Sequence, residues 1–378
     1  MQKLRVAMIG GGGPESFFGG VHQRAIALDA TRELVAGALR SDPAKALAAA
    51  DAMGVQGYPD YRAMLDDIVS GKLTIDYVTV VTPNHVHYEP VKAFLENGIP
   101  VVCEKPMTMT VAEAEELGQL VEQNDVPFLL AHTYTGHPMM MLARQWVADG
   151  MIGEIRKVES WYLQGWLADP LEKEEVKQAA WRTDPARAGL SCCGGDIGTH
   201  AFVAATWVTG LAVSRVSARL NTFVSGRSLD DDFNTVCELE NGATALINAT
   251  QIAIGHKNDH GFRIYGNRGS LEWHQERAEC LLLNRGNADE LYWTGAGNAH
   301  FPDSIGSYLR VPAGHNEDFF EALANLHCTM ERRIRARRGE KDVPAAFAHP
   351  GVHEGITGMR FVAAAVASSK AEGVWTRV

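Results

Sequence analysis

The order of apolar runs over the first 132 residues constrains this chain more than any other feature. LRVAMIG, ELVAGAL, IDYVTVVTP, IPVVCEKP and VPFLLAHTY are apolar almost throughout. VHQRAIALDA, DPAKALAAADAMG, YRAMLDDIVSG, HYEPVKAFLENG and TVAEAEELGQLVEQND fall between them with helical character. Strands apolar on both faces and joined by helices build a parallel, doubly wound sheet. Asp42 is placed to cap the second of these helices and Gly54 to stop it. After about residue 133 the pattern changes. EIRKVESWYL, SRVSARLNTFV, FNTVCELE, ATALINATQI and FRIYGNRGSLEW follow one another mostly without helices, with turn signals in ENG and YGNRG. Such a run predicts a large, mostly antiparallel open sheet. Two long helical stretches end the chain. The expected fold is therefore α/β, with a doubly wound domain over residues 1–132 and an α/β domain over 133–378. The last helix is free to pack back on the first domain.

Composition narrows the partners. A chain of 378 residues has material for two cores. Its 46 acidic residues outnumber 35 Lys and Arg, for a net charge of -11. That balance disfavours nucleic acid and anionic membranes. No run is long enough to span a bilayer, and glycines interrupt the opening MQKLRVAMIGGGG before a signal-peptide core forms. Cys103, Cys237, Cys280 and Cys328 stand singly, and the adjacent Cys192 and Cys193 suit neither a CxxC redox motif nor a zinc site. Free thiols in a cytoplasmic protein are the expectation. The cluster Arg332, Arg333, Arg335, Arg337 and Arg338 closes a helix and reads as a solvated end that complements the dipole.

IGGGGPESFFGG follows the first strand and precedes a helix, the setting a dinucleotide fingerprint requires. Glycines let the backbone turn and approach a pyrophosphate, and the helix N-terminus offers amides and positive dipole. Gly10 and Gly12 take the first two glycine positions. Glu15 stands where a third would fall, so Gly19 or Gly20 takes that role after a short insertion. Gly13, Ser16 and Phe17 complete the candidate loop. At the end of the second strand, GALRSDP offers two readings. Arg40 with Ser41 accommodates a 2′-phosphate and favours NADP; Asp42 reaches ribose hydroxyls and favours NAD, or only caps its helix. A carboxylate beside a phosphate repels it, so NAD is the expected cofactor, with NADP not excluded.

CCGGDIGTHAFVAATWVTG approaches a helix through glycines. Asp196 and His200 are four apart and share a helical face. They can be a cap and a satisfied imidazole. They can also be metal ligands, although no third or fourth ligand at suitable spacing accompanies them and no metal is expected. Or they can be an acid-base pair, a His that takes a hydroxyl proton beside an orienting carboxylate. Alcohol oxidation by a nicotinamide also needs a cation near the developing alkoxide. Lys105, between Glu104 and Pro106 at the carboxyl end of a sheet strand, lies where doubly wound folds place ligands. Tyr134 and His137 follow the last strand of that sheet and qualify by the same position. In the irregular stretch before GGD, Trp161, Tyr162, Trp166 and Trp181 could stack on sugar rings, and Arg182, Asp184 and Arg187 could bond hydroxyls or an anion. Core or interface packing is the competing reading for each aromatic. His256, Lys257 and His260 form a basic loop near the site or a solvated turn.

The glycine turn, VTPNHVHY at 81–88, CEKP at 103–106 and GDIGTH at 195–200 occur in this order. Together they resemble the Gfo/Idh/MocA family over nearly the whole chain. The resemblance implies a Rossmann domain followed by an α/β domain whose open sheet forms oligomer contacts, hence a homodimer or homotetramer. It implies that Lys105, Asp196 and His200 are the catalytic set, with His200 as the acid-base and Lys105 polarising the hydroxyl and helping to place the nicotinamide. Thr82, Pro83, Asn84, His87 and Glu104 would line the nicotinamide-ribose end. The expected activity is hydride transfer between nicotinamide and a secondary hydroxyl of a sugar, glycoside or cyclitol. Two alternatives share these residues: a redox-neutral NAD-dependent glycosidase working through transient C3 oxidation, suited to an anionic sugar, and a non-catalytic NAD-binding sensor.

Overall fold

The computed structural model describes residues 2–13, 16–174 and 176–378. The chain divides into two compact units. The first takes Met1–Thr108, Ala112–Gly136 and Asp318–His353; the second takes Met109–Val111, His137–Glu317 and Glu354–Val378.

The first unit holds a six-stranded parallel sheet. Its strands are β1 (Leu4–Gly10), β2 (Arg32–Ala38), β3 (Gln56–Gly57), β4 (Tyr77–Val81), β5 (Val101–Glu104) and β6 (Phe128–Ala131), in the order β3-β2-β1-β4-β5-β6. The order turns at β1, and each step is a helical crossover. The helices are α1 (Phe17–Ala27), α2 (Pro43–Ala52), α3 (Tyr61–Val69), α4 (Tyr88–Glu96) and α5 (Val111–Asn124). Every residue of β4, β5 and β6 is buried, as the unbroken apolar runs require. On one face, Val21, Ala25 and Ile26 of α1 pack with Val6, Tyr77, Val102 and Leu129 of the sheet. On the other, Leu39 and Ala50 pack with Met8 and Val81.

The second unit is built on a nine-stranded sheet. Its strands are β7 (Ile155–Leu163), β8 (Val213–Asn221), β9 (Asp232–Leu239), β10 (Thr244–Thr250), β11 (Asp259–Gly266), β12 (Ser270–His274), β13 (Cys280–Asn284), β14 (Asp289–Trp293) and β15 (Thr376–Arg377). The order is β14-β13-β12-β11-β7-β10-β9-β8-β15, and β7 pairs with β10 in parallel while the other pairs are antiparallel. Its first helices are α6 (Pro138–Ala148), α7 (Lys177–Arg182), α8 (Pro185–Ala188), α9 (Thr199–Thr209) and α10 (Asp303–Gly306). Nearly every residue of α9 is buried, as its continuous apolar character demands. Phe202 of α9 stacks on Phe361 at 4.5 Å, and Phe233 of β9 meets Phe361 at 5.7 Å. Burial of each such ring stabilises the unit by about 1.5–3 kcal/mol.

The two long C-terminal helices part company. α11 (Phe319–Arg337) belongs to the first unit, and α12 (Val352–Lys370), the last helix, belongs to the second. The grouping therefore differs from a single cut at residue 132 with the last helix returning. Leu323, Leu326, Met330 and Ile334 of α11 complete the core formed by α1 and the sheet. Gly136 admits the helix closely: a Cβ there would lie 2.0 Å from the Ala322 carbonyl oxygen. The arginine cluster closing α11 is also not a free solvated end. Arg332 and Arg335 are buried, Arg335 pairs with Glu331 at 2.9 Å and Glu340 at 2.8 Å, and Arg333 donates to the Phe128 carbonyl at 2.9 Å. The last turns of α11 run past the start of β6, where main-chain carbonyls need donors.

Candidate functional site

The glycine turn is tight for a stated reason. Gly10 has a φ of +78°, and a Cβ on it would lie 2.7 Å from the Val81 carbonyl oxygen and 2.8 Å from the Thr82 methyl. The turn therefore lies directly against the loop after β4. Gly12 donates to the Leu39 carbonyl at 3.0 Å, and Gly13 accepts from the Ser16 amide at 3.1 Å. Ser16 caps α1, its hydroxyl accepting from the Gly19 amide at 3.3 Å. Gly19 fills the third glycine role: a Cβ there would lie 1.8 Å from the Gly11 carbonyl oxygen, whereas one on Gly20 meets only the Arg24 side chain at 3.5 Å. Glu15 lies outside the described residues. Phe17 is exposed and its ring lies 6.0 Å from that of Phe319.

The residues after β2 are engaged by the protein itself. Arg40 donates to the Gly12 carbonyl at 2.8 Å, which ties it to the glycine turn. Asp42 is the N-cap of α2 and accepts from the Lys45 amide at 2.8 Å.

Thr82 and His87 join the loop after β4 to the end of β5. His87 is fully buried, with Nδ1 2.7 Å from the Pro106 carbonyl oxygen and Nε2 2.7 Å from that of Thr82. Burial outweighs the pull of these carbonyls and holds the ring below the ordinary imidazole pKa. Pro83 opens a short turn over Asn84–Val86, and Asn84 is buried. Among the described residues the Thr82 hydroxyl, beside the glycine turn, is buried without a hydrogen-bond partner. Buried hydroxyls are rarely left unmet, so this atom fits a bound dinucleotide better than an empty core. Glu104 ends β5 buried, its Oε1 2.9 Å from His22 Nε2 and its Oε2 accepting from the Lys105 amide at 3.2 Å. Lys105 is half-buried. Tyr134, in this unit, is buried with its ring 6.0 Å from Phe319.

In the second unit, Asp196 and His200 do not sit on one regular helix. Gly194–Gly198 form a π turn that runs into α9 at Thr199. Asp230 sets this turn: its carboxylate accepts from the Ser191 hydroxyl at 2.9 Å and from the amides of Cys192 at 3.0 Å and Gly194 at 3.2 Å. Burial pushes Asp230 up to about 6 despite these donors. Phe233 excludes any side chain at Gly194, where a Cβ would lie 2.5 Å from the ring. π turns of this kind occur often at functional sites. Asp196 Oδ2 accepts from Arg182 Nε at 2.8 Å and from Gln251 Nε2 at 2.9 Å. Arg182 in turn lies over Trp181 at 4.1 Å and Trp166 at 5.7 Å. These two rings therefore carry a guanidinium on one face, and Arg182 serves the carboxylate rather than standing ready for an anion.

His200 is buried, its ring 5.8 Å from Tyr162 and 6.2 Å from His260. Of the three residues read as a basic loop or a solvated turn, His256 and Lys257 lie in an exposed turn, whereas His260 does not. His260 lies buried in β11, donates through Nδ1 to the Trp161 carbonyl at 2.8 Å, and burial lowers its pKa to about 4. His256 pairs with Asp259 at 2.8 Å near the surface. His137 is fully buried against Trp273, at 5.6 Å between rings, and burial lowers it to about 3. All six cysteines are free thiols. Among the described residues no cluster of His, Cys, Asp and Glu could hold a metal, and no helix is long and apolar enough to cross a membrane.

Family models match both units' principal segments: an oxidoreductase-family NAD-binding Rossmann fold over residues 4–132 and a GFO/IDH/MocA C-terminal domain over 140–272. The chain belongs to the Gfo/Idh/MocA family. It is 31% identical to the uncharacterized oxidoreductase YfiI of Bacillus subtilis (strain 168), covering 98% of this chain and 96% of that protein. Levoglucosan dehydrogenase of Pseudarthrobacter phenanthrenivorans is 31% identical over 75% of this chain and 76% of its own. The crystal structure of an inositol dehydrogenase homolog from Azotobacter vinelandii, complexed with NADH and myo-inositol, is 32% identical with a TM-score of 0.90, covering 100% of this chain and 98% of that one. This Gfo/Idh/MocA protein thus carries the NAD-binding Rossmann domain of an oxidoreductase.

Sequence reasoning missed several residues around these groups. His22, His327 and Tyr77, which stand behind Glu104, come from α1, α11 and β4 and carry no shared motif. Gln251, just after β10, and Asp230, just before β9, lie in loops far in sequence from the turn that they hold. The one signal was His22 itself, an ionisable residue on the buried side of α1 three positions after Gly19.

Proposed function

We propose that this Gfo/Idh/MocA protein is an NAD-dependent dehydrogenase acting on a secondary hydroxyl of a sugar or cyclitol. The end of β5 supports the reading most: a lysine and a bonded carboxylate held beside a loop whose buried Thr82 hydroxyl lacks a partner among the described residues. Gly10, Gly12, Gly13 and the amides at the start of α1 would hold the pyrophosphate, and Thr82, Pro83, Asn84 and His87 would frame the nicotinamide-ribose end. The names of the relatives favour a cyclic polyol or anhydrosugar.

Bound NAD supplies a hydride acceptor. In our reading His200 takes the hydroxyl proton as the carbonyl forms. Asp196, held by Arg182 and Gln251, is the carboxylate that orients the imidazole. The Lys105 ammonium lowers the cost of the developing alkoxide. An anionic-sugar glycosidase draws less support, because Arg182 is already engaged by Asp196.

The test is to incubate the purified protein with NAD and a panel of cyclitols, hexoses, anhydrosugars and aryl glycosides. NADH accumulation with a free polyol is expected. His200→Asn and Lys105→Met should each lower kcat on the order of 100- to 10,000-fold. Release of aglycone without net NADH would overturn the dehydrogenase reading in favour of the redox-neutral one. Wild-type turnover in either variant would remove the assigned roles.

A further inference from the structure

Behind the EKP turn runs a buried chain of polar side chains that no part of the proposed reaction uses directly. Tyr77 of β4 places its hydroxyl 2.9 Å from His327 Nδ1 on α11. His327 Nε2 lies 3.1 Å from His22 Nδ1 on α1, and His22 Nε2 lies 2.9 Å from Glu104 Oε1. The other oxygen of that carboxylate accepts from the Lys105 amide. Tyr77, His327 and His22 are fully buried, and Glu104 is 7% exposed.

With one proton on each imidazole, the donors and acceptors run in a single direction. A carboxylate only accepts, so His22 Nε2 donates to Glu104. Burial, with His22 and Arg32 nearby, holds His327 far below the ordinary imidazole pKa, so it carries one proton. Burial raises the Tyr77 phenol, which keeps its proton. Tyr77 then donates to His327 Nδ1, His327 Nε2–H donates to the lone pair of His22 Nδ1, and His22 Nε2–H donates to Glu104. Thr79 Oγ1, 3.3 Å from His22 Nδ1, can reinforce the same acceptor. Each nitrogen and oxygen of the chain finds a partner, and each bond fixes the tautomer of the next ring.

A packed apolar core would fill this space at less risk, since one missing partner leaves a buried polar group unmet. The chain also draws on α1, β4, β5 and α11, and its two imidazoles lie 305 positions apart in sequence. It ends on the one carboxylate adjoining the candidate catalytic lysine. We propose that His22 and His327 are positioning residues, which, anchored by Tyr77, lock the Glu104 carboxylate and so the backbone that presents Lys105. This rests on the dehydrogenase reading for its kinetic consequence, and on the geometry alone for the relay itself.

Three variants test it. His327→Phe keeps the ring volume and removes both hydrogen bonds. His327→Gln can set an amide donor near the place of Nε2. Tyr77→Phe deletes a single hydroxyl and guards against loss of fold in the larger change. For His327→Phe we expect kcat to fall on the order of 10- to 100-fold, the scale of a reacting group displaced by up to an ångström. NADH affinity, measured by its fluorescence, should hold. His327→Gln should recover most of the loss, and Tyr77→Phe should show a smaller loss in the same direction. Unchanged kcat in folded His327→Phe and Tyr77→Phe, or equal loss of kcat and NADH affinity with no rescue by Gln, would overturn the proposal. A second readout needs no turnover. Low-field proton spectra of the wild type should show two exchange-protected imidazole N–H signals; His327→Phe should lose one, and Glu104→Gln should shift the other. Their absence from the folded wild type overturns the relay. Failure of the wild type to oxidise any polyol counts against the dehydrogenase reading only.

Discussion

A methyl group on Gly19 would stand 1.8 Å from the Gly11 carbonyl oxygen, and neither backbone has a rotamer with which to yield. At Gly20, one position on, the nearest atom is the end of a flexible arginine at 3.5 Å. We therefore expect Gly19→Ala to lose about 1–3 kcal/mol of stability and to weaken NADH binding sharply. Gly20→Ala should keep both, with a slight gain from helix propensity. Thermal unfolding and NADH titration of the two variants check this; equal behaviour would show that Gly11 and Gly19 do not meet as described. The sequence could narrow the third glycine to these two positions. It could not choose, because the choice depends on which side of α1 faces the turn. Arg40 and Asp42 show the same limit. Their chemistry suggested ribose or phosphate recognition, and their hydrogen bonds go to the glycine turn and the start of α2.

Among the elements, the π turn before α9 departs most from its sequence pattern. Four-residue spacing predicted one helical face for Asp196 and His200. Instead Asp230 gathers Ser191, Cys192 and Gly194 into a wider turn, and no local signal announces a partner 34 positions beyond Asp196. The buried Asp230 carboxyl titrates at about 6, above its ordinary 3.8. A group raised in this way contributes stability that is complete below pH 3.8 and disappears as pH rises through about 6. The span corresponds to about 3 kcal/mol. Asp230→Asn removes that titration, so the stability gap between wild type and variant should widen as pH falls from 7 toward 4. Denaturant unfolding at several pH values measures it, and a constant gap would mean that Asp230 does not titrate in this window. Asp230→Asn should also lower kcat, because an amide cannot accept from Ser191, Cys192 and Gly194 together.

For the molecule as a whole, the first unit is discontinuous. Its sheet comes from the first third of the chain, but Leu323, Leu326, Met330 and Ile334 of α11 finish its core and His327 backs its Glu104. A fragment of residues 1–136 should therefore lack cooperative unfolding and bind NADH poorly. Joining residues 318–353 to it through a flexible Gly/Ser linker should restore both, as calorimetry and NADH titration would show. A fragment that folds fully without α11 would refute this division. The alternation of apolar strands and helices determined the parallel sheet, and the glycine turn with the EKP and GDIGTH segments determined the family. These are local patterns of periodicity and spacing, legible because neighbouring residues share a backbone. Which glycine meets the turn, what Arg182 and Asp230 hold, and which histidines stand behind Glu104 were decided only by tertiary structure. Those partners lie tens to hundreds of positions apart, and only packing brings them within hydrogen-bonding distance.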